Sequence, residues 1–235
     1  TMQRDPEFLA SIDSPAGIDR GRLETRAISA GVPFWACEFN FYGPRKLIEA
    51  QWECVRDAMA GIEGATFKLN DIRALPLKPD ELAAMRDTVF LGVPTLRTFG
   101  LGPLVSWEGE TIVGQIFFSP VIPRTGEAAM EAMDVIGGIA HKYKLPGPPM
   151  QFPGAMVERA FLHVVALPVT RSSTVNARVR EIFRELVEVA AQHGWGEYRT
   201  APAFYDLILG TYSFNDHALK EFLESIKDAV DPNGI

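Results

Sequence analysis

Over residues 1–31 apolar positions recur at no fixed interval, with Asp, Arg, Gly and Pro scattered among them. The segment is expected to be an irregular lead-in that starts mid-protein. Pro33–Gly43 (PFWACEFNFYG) is dense in aromatics, which predicts a strand because large rings pack well on a pleated surface. Pro44 suits a helix start, where its missing N–H costs nothing. Behind it, Leu47, Ile48, Trp52, Val55 and Met59 fall at helical spacing, and Gly61 and Gly64 close the helix. Ala65–Leu69 (ATFKL) reads as a second strand, completing a strand–helix–strand unit. Pro76 and Pro79 break the next stretch. PDELAAMRDTVF predicts a short helix there and GVPTLRTFGLGPLVSWEGE a long connection, a kind of segment that often carries function. A second unit opens with a strand at Thr111–Ile122. It continues in a helix (GEAAMEAMDVIGGIAHKYKL) with Ala129, Met133, Ile136 and Ile139 on one face. A proline-rich loop (KLPGPPMQFPG) leads to a buried strand at Ala160–Val169. The clearest amphipathic helix follows from Ser173, with Val175, Val179, Ile182, Phe183, Leu186 and Val189 as its buried stripe and Gly194 as its stop. This order predicts an α+β fold, two β-α-β units sharing an antiparallel sheet flanked by helices in a ferredoxin-like arrangement.

Composition narrows the class. Hydrophobic residues make up 47% and charged residues 23% of 235, ordinary for a globular protein. The net charge of -7 disfavours nucleic acid or an anionic membrane as partner, since either wants a basic face. No apolar run approaches the roughly 20 residues that span a bilayer, and the polar, acidic N-terminus is unlike a secretory leader. Cys37 and Cys54, the only cysteines, suit a reducing compartment; the expected location is the cytoplasm. No His, Asp or Glu grouping has metal-ligand spacing, so no metal is expected. His141 and His193 close helices, where a cation suits the dipole, and His217 falls in the first turn of the last helix, with Asn215 or Asp216 as its cap. Glu127 and Glu131 lie one turn apart on a solvated face.

GWGEYRTAPAFYDLI (Gly194–Ile208) resembles the vanillyl-alcohol oxidase and para-cresol methylhydroxylase family of FAD enzymes. So do Phe39–Phe67, Met85–Thr95, Ile116–Met130 and KDAVDPNGI (Lys227–Ile235), so that the resemblance runs with gaps from Phe34 to Ile235. It implies a three-part chain: the lead-in 1–31, a substrate-capping α+β domain over 32–197, and a C-terminal segment over 198–235 that packs on an FAD-binding domain. No glycine-rich segment here opens a helix after a strand to cradle a pyrophosphate. The flavin-binding half is therefore expected outside this chain, which is read as the C-terminal part of a longer enzyme.

The resemblance assigns roles. Tyr198 and Arg199 match the pair that binds the phenol oxygen and favours its ionised form, and Arg199 also borders the flavin. Phe117 matches an aromatic lining the substrate cavity, and His163 falls on a strand bordering it. Gln115 stands three residues before Phe118, where the oxidase branch carries a histidine covalently linked to flavin; a carboxamide nitrogen cannot form that bond, so a non-covalent flavin is implied. The methylhydroxylase branch links through a tyrosine, and Leu101–Gly114 contains none. Read without the resemblance, the same residues have plainer readings. Tyr198 packs on Trp195, Arg199 pairs with a surface acid such as Glu197, Phe117 is core, and His163 is a satisfied core histidine. The expected partners are a small phenolic substrate, the flavin-binding half and further copies of the chain. The rival reading is a non-catalytic α+β ligand-binding or assembly module.

Overall fold

The computed structural model describes residues 13–14, 17–31, 33–69, 74–85, 88, 91–93, 106–145, 155–157 and 159–234. Most of the lead-in before Asp13, much of the long connection before Ser106 and the proline-rich loop beyond Leu145 lie outside them. The chain divides into two compact units, Thr1–Val32 with Pro103–Ile235, and Pro33–Gly102.

In the larger unit, β1 (Asp13–Ser14) pairs antiparallel with β2 (Gly17–Ile18), and α1 (Arg20–Ser29) follows, its start capped by Asp19 accepting from the Arg22 N–H at 3.1 Å. In the smaller unit the described residues contain two helices. The first, α2 (Arg45–Met59), begins after Pro44 as expected; α3 (Pro79–Ala84) has Pro79 in its first turn. The strands predicted at Pro33–Gly43 and Ala65–Leu69 are not formed. A strand exists only where a neighbour takes its amide and carbonyl groups, and aromatic composition supplies no neighbour. The rings find local partners: Phe39 stacks on Phe41 and Trp52 meets Phe67 edge-on, each with centroids 6.3 Å apart. The α+β class rests on the larger unit, which holds every paired strand among the described residues.

There, β3 (Ser106–Trp107), β4 (Glu110–Phe118) and β8 (Val165–Thr170) form one sheet in the order β3-β4-β8. A second sheet has the order β6-β7-β5-β9, from β6 (Ala155–Val157), β7 (Ala160–Leu162), β5 (Pro120–Pro123) and β9 (Gly196–Glu197). All of these pairings are antiparallel. The sequence suggests one strand over Thr111–Ile122 and one over Ala160–Val169; each is split. The chain crosses from the first sheet to the second at Ser119 and returns at His163–Val164. Phe118 pairs with Val165 on one side of this double crossing and Val121 with Leu162 on the other.

Helices cover one side. The apolar stripe of α5 (Ser173–Gln192) buries Val175, Val179, Ile182, Phe183, Leu186, Val187 and Ala190, close to the predicted face, with Val189 at its half-buried edge. Ser172 caps its start and Gly194, at φ 74°, turns the chain away after it. Phe183 packs edge-on against Phe118 of β4 and stacks on Phe204, which fastens the helix to both the sheet and the C-terminal segment. Fully burying one such side chain contributes about 1.5–3 kcal/mol. Helix α4 (Gly126–Lys142) adds Ala132, Met133, Ile136 and Ile139 to the core; Ala129, expected there, is only half-buried.

The last helices are α6 (Tyr205–Leu209), after a 3-10 turn at Pro202–Phe204, and α7 (Phe214–Val230). Asn215, Asp216 and His217 have positive φ (48°, 54° and 63°), so neither Asn215 nor Asp216 is a conventional cap and regular helical backbone starts at Ala218. Short Asn and Asp side chains tolerate this left-handed backbone better than most. No residue of α7 is buried. Leu219, Phe222, Ile226 and Val230 recur at helical spacing with exposures of 45%, 62%, 44% and 76%. Among the described residues no helix is long and apolar enough to cross a membrane.

Candidate functional site

The crossing between the sheets gathers the site. Strand β9 extends the second sheet beside β5, with Pro120 opposite Glu197 and Val121 opposite Gly196. On the far side of β5, the His163 N–H donates to the Pro120 carbonyl at 3.1 Å. A buried row, His163–Pro120–Glu197, therefore runs across the sheet.

Because the strand breaks at Ser119, its N–H would be left over. The Glu197 carboxylate takes it with both oxygens, at 3.0 and 2.8 Å, and the Tyr198 N–H returns to the Ser119 carbonyl at 2.9 Å. Glu197 is only 8% exposed, so the sequence reading of it as a surface acid is overturned. Burial pushes its carboxyl up to about 7, against the main-chain N–H donors of Ser119 and Arg199, which pull it down. The Tyr212 hydroxyl donates to the Glu197 carbonyl at 2.8 Å, and burial followed by the charge of Glu197 raises the Tyr212 pKa. Gly196 makes room for Tyr212, since a Cβ there would come within 2.9 Å of its ring.

Tyr198 is 58% exposed and Arg199 is exposed as well. Trp195 is buried and stacks on His193, with centroids 4.6 Å apart. Among the described residues the Arg199 guanidinium forms no ion pair with Glu197; the Arg199 main-chain N–H favours the charged form of that carboxylate. Gln115 and Phe117 are half-buried on β4, opposite Pro168 and Ala166. As alternate residues of one strand they share the face turned away from Phe118 and its helix-side partner Phe183. His163 is 0% exposed, and neither ring nitrogen has a hydrogen-bond partner among the described residues. Burial pushes its pKa down to about 4, so the ring is neutral at pH 7. Among the described residues no group of three His, Cys, Asp or Glu could hold a metal ion.

Tyr198, His163, Gln115 and Phe117 thus all belong to the strands that meet at the Ser119 crossing or to the residues flanking them. Ser119, Glu197 and Tyr212 were not singled out as site residues from sequence. A glutamate beside an exposed tyrosine carries no mark of burial, and the open amide it serves arises only when β4 ends at Phe118.

No family model matches the chain. Among solved structures, the 4-ethylphenol oxidase from Gulosibacter chungangensis, determined in complex with isoeugenol, superposes with a TM-score of 0.68 and 27% identity over 97% of this chain. The chain is a structural relative of phenol-oxidising enzymes. A p-cresol methylhydroxylase with substrate bound has the same fold over 96% of the chain, with a TM-score of 0.63 and 22% identity. The chain spans 43% of the length of the first relative and 41% of the second.

Proposed function

We propose that the chain is the C-terminal, substrate-binding part of a flavin-dependent oxidoreductase acting on para-substituted phenols. The observation that carries this reading is the Tyr198–Arg199 pair. Its side chains are exposed while its backbone is fixed to the Ser119 crossing, in a chain that follows the fold of a 4-ethylphenol oxidase over 97% of its length.

A free phenol ionises near pH 10, like tyrosine. A guanidinium, charged at every working pH, lowers that value when it lies beside the oxygen, and the Tyr198 hydroxyl donates to the same atom. The phenolate pushes electron density to the para carbon and so eases departure of a hydride from the para side chain. FAD, when bound, supplies the hydride acceptor. Phe117 contributes an apolar wall for the ring. His163, neutral at pH 7, offers one nitrogen as donor and the other as acceptor to a substituent or a departing proton. Gln115 and Arg199 border the flavin, and the Gln115 carboxamide leaves the cofactor without a covalent link at that position.

The described residues fit this cofactor only in part. Their helix starts at Asp19, Pro44, Lys78, Thr125 and Ser172 are not preceded by glycine-rich loops, so none makes a pyrophosphate cradle. In this reading FAD is held mainly by a separate domain, against which the segment 198–235 and the apolar face of α7 pack.

The test compares 4-ethylphenol with its methyl ether, using the chain together with its flavin-binding half. Turnover of the phenol, loss of turnover with the ether and a large loss in Arg199→Ala, partly restored as pH rises toward about 10, support the proposal. Equal turnover of both compounds, or full activity of Arg199→Ala at neutral pH, would overturn it.

A further inference from the structure

We infer that Glu197 is the positioning residue that aims the Tyr198–Arg199 pair, an inference that rests on reading that pair as the phenol anchor. The dipeptide is held at main-chain level. The Tyr198 N–H is fixed to the Ser119 carbonyl at 2.9 Å. The Glu197 carboxylate grips the Ser119 N–H with both oxygens, so one buried group ties the pair to the crossing between the sheets. Its own backbone is steadied by the Tyr212 hydroxyl at 2.8 Å, an approach that Gly196 permits.

The side chains of Tyr198 and Arg199 are exposed, so packing on this chain does little to set their direction. The course of the backbone from Gly196 to Arg199 sets it instead, and Glu197 holds that course. A buried carboxylate is costly to retain where a smaller or apolar residue would close a sheet edge, and its retention here is matched by the Ser119 N–H, which no other described side chain meets.

Reach distinguishes positioning from bulk. Glu197→Asp withdraws the carboxylate by about 1.5 Å and breaks its two-oxygen grip on the Ser119 N–H while keeping the charge. Glu197→Gln keeps the reach and one carbonyl acceptor. The experiment uses the full chain. Amide hydrogen exchange is followed at Ser119 and Tyr198, and 4-ethylphenol binding is followed by calorimetry and by the ultraviolet signature of phenolate. Glu197→Asp is expected to speed exchange at both amides and weaken 4-ethylphenol binding, each by about tenfold or more, with loss of the phenolate signature; Glu197→Gln is expected to recover most of the protection and binding. Unchanged exchange in Glu197→Asp overturns the inference. So does faster exchange with unchanged binding, provided Arg199→Ala abolishes binding, because the pair then works without the clamp. If the wild-type chain fails to bind 4-ethylphenol, the phenol-anchor reading fails and the inference built on it is overturned too; the exchange data then show only whether the carboxylate fixes the backbone.

Discussion

His163 and Glu197 occupy the same buried row, and burial acts on them in opposite senses. It pulls the histidine from 6.5 to about 4 and pushes the carboxyl from 4.5 to about 7. Between pH 4 and 6.5 the unfolded chain binds a proton at His163 that the folded chain rejects, so this residue makes stability rise with pH. Between pH 4.5 and 7 the folded chain retains a proton at Glu197 that the unfolded chain has lost, so this residue makes stability fall with pH. Each effect amounts to about 3 kcal/mol over its window, and they oppose each other where the windows overlap. The contribution of the pair is therefore nearly flat from pH 4.5 to 6.5. Glu197→Gln should expose the rising slope and His163→Leu the falling one, as read from urea unfolding at a series of pH values. Two variants with parallel slopes would contradict the burial argument.

At the scale of elements, β9 is two residues long and depends on what surrounds it. Gly196→Ala would drive a Cβ into the Tyr212 ring and displace the hydroxyl from the Glu197 carbonyl. The expected loss is about 1–3 kcal/mol in thermal or denaturant unfolding, whereas Tyr212→Phe, which removes the hydrogen bond alone, should cost about 1 kcal/mol. Helix α7 presents the contrary case. Because none of its residues is buried, Phe222→Asp with Ile226→Asp should change the stability of the chain by no more than about 0.5 kcal/mol. If that face packs on the flavin-binding half, as proposed, the same double substitution should weaken association by tenfold or more in a binding titration against that half. A large loss of stability would mean that the face is covered within this chain instead.

For the whole molecule, the chain spans less than half of each related enzyme, and the described residues offer no pyrophosphate cradle. The chain alone is therefore expected not to bind FAD tightly. Fluorescence titration showing one-to-one saturation would refute this. If the chain works with a flavin-binding half, as proposed, the flavin should separate from the assembled protein on acid denaturation, because Gln115 cannot form a covalent link. Flavin retained on the precipitated polypeptide would require another linking residue.

Local order was readable where apolar spacing is regular; α1 (Arg20–Ser29), inside the stretch read as an irregular lead-in, was missed because only Leu23 and Ala27 mark its buried face. The long helices were legible from apolar spacing, because a helix makes its hydrogen bonds within itself and needs only one apolar face. Gly194 marked the end of α5 for the same reason, and the EYR segment was marked by composition and resemblance. Pairing was not readable. Aromatic Pro33–Gly43 looked like a strand but does not form one, and two apparently continuous strands divide at Ser119 and His163 because the chain changes sheets there. Neither event leaves a local mark, since a strand's hydrogen bonds lie in another part of the sequence. The burial of Glu197 follows from that division. Sequence placed a carboxylate beside Tyr198, but the tertiary structure made it the acceptor for an amide 78 residues away.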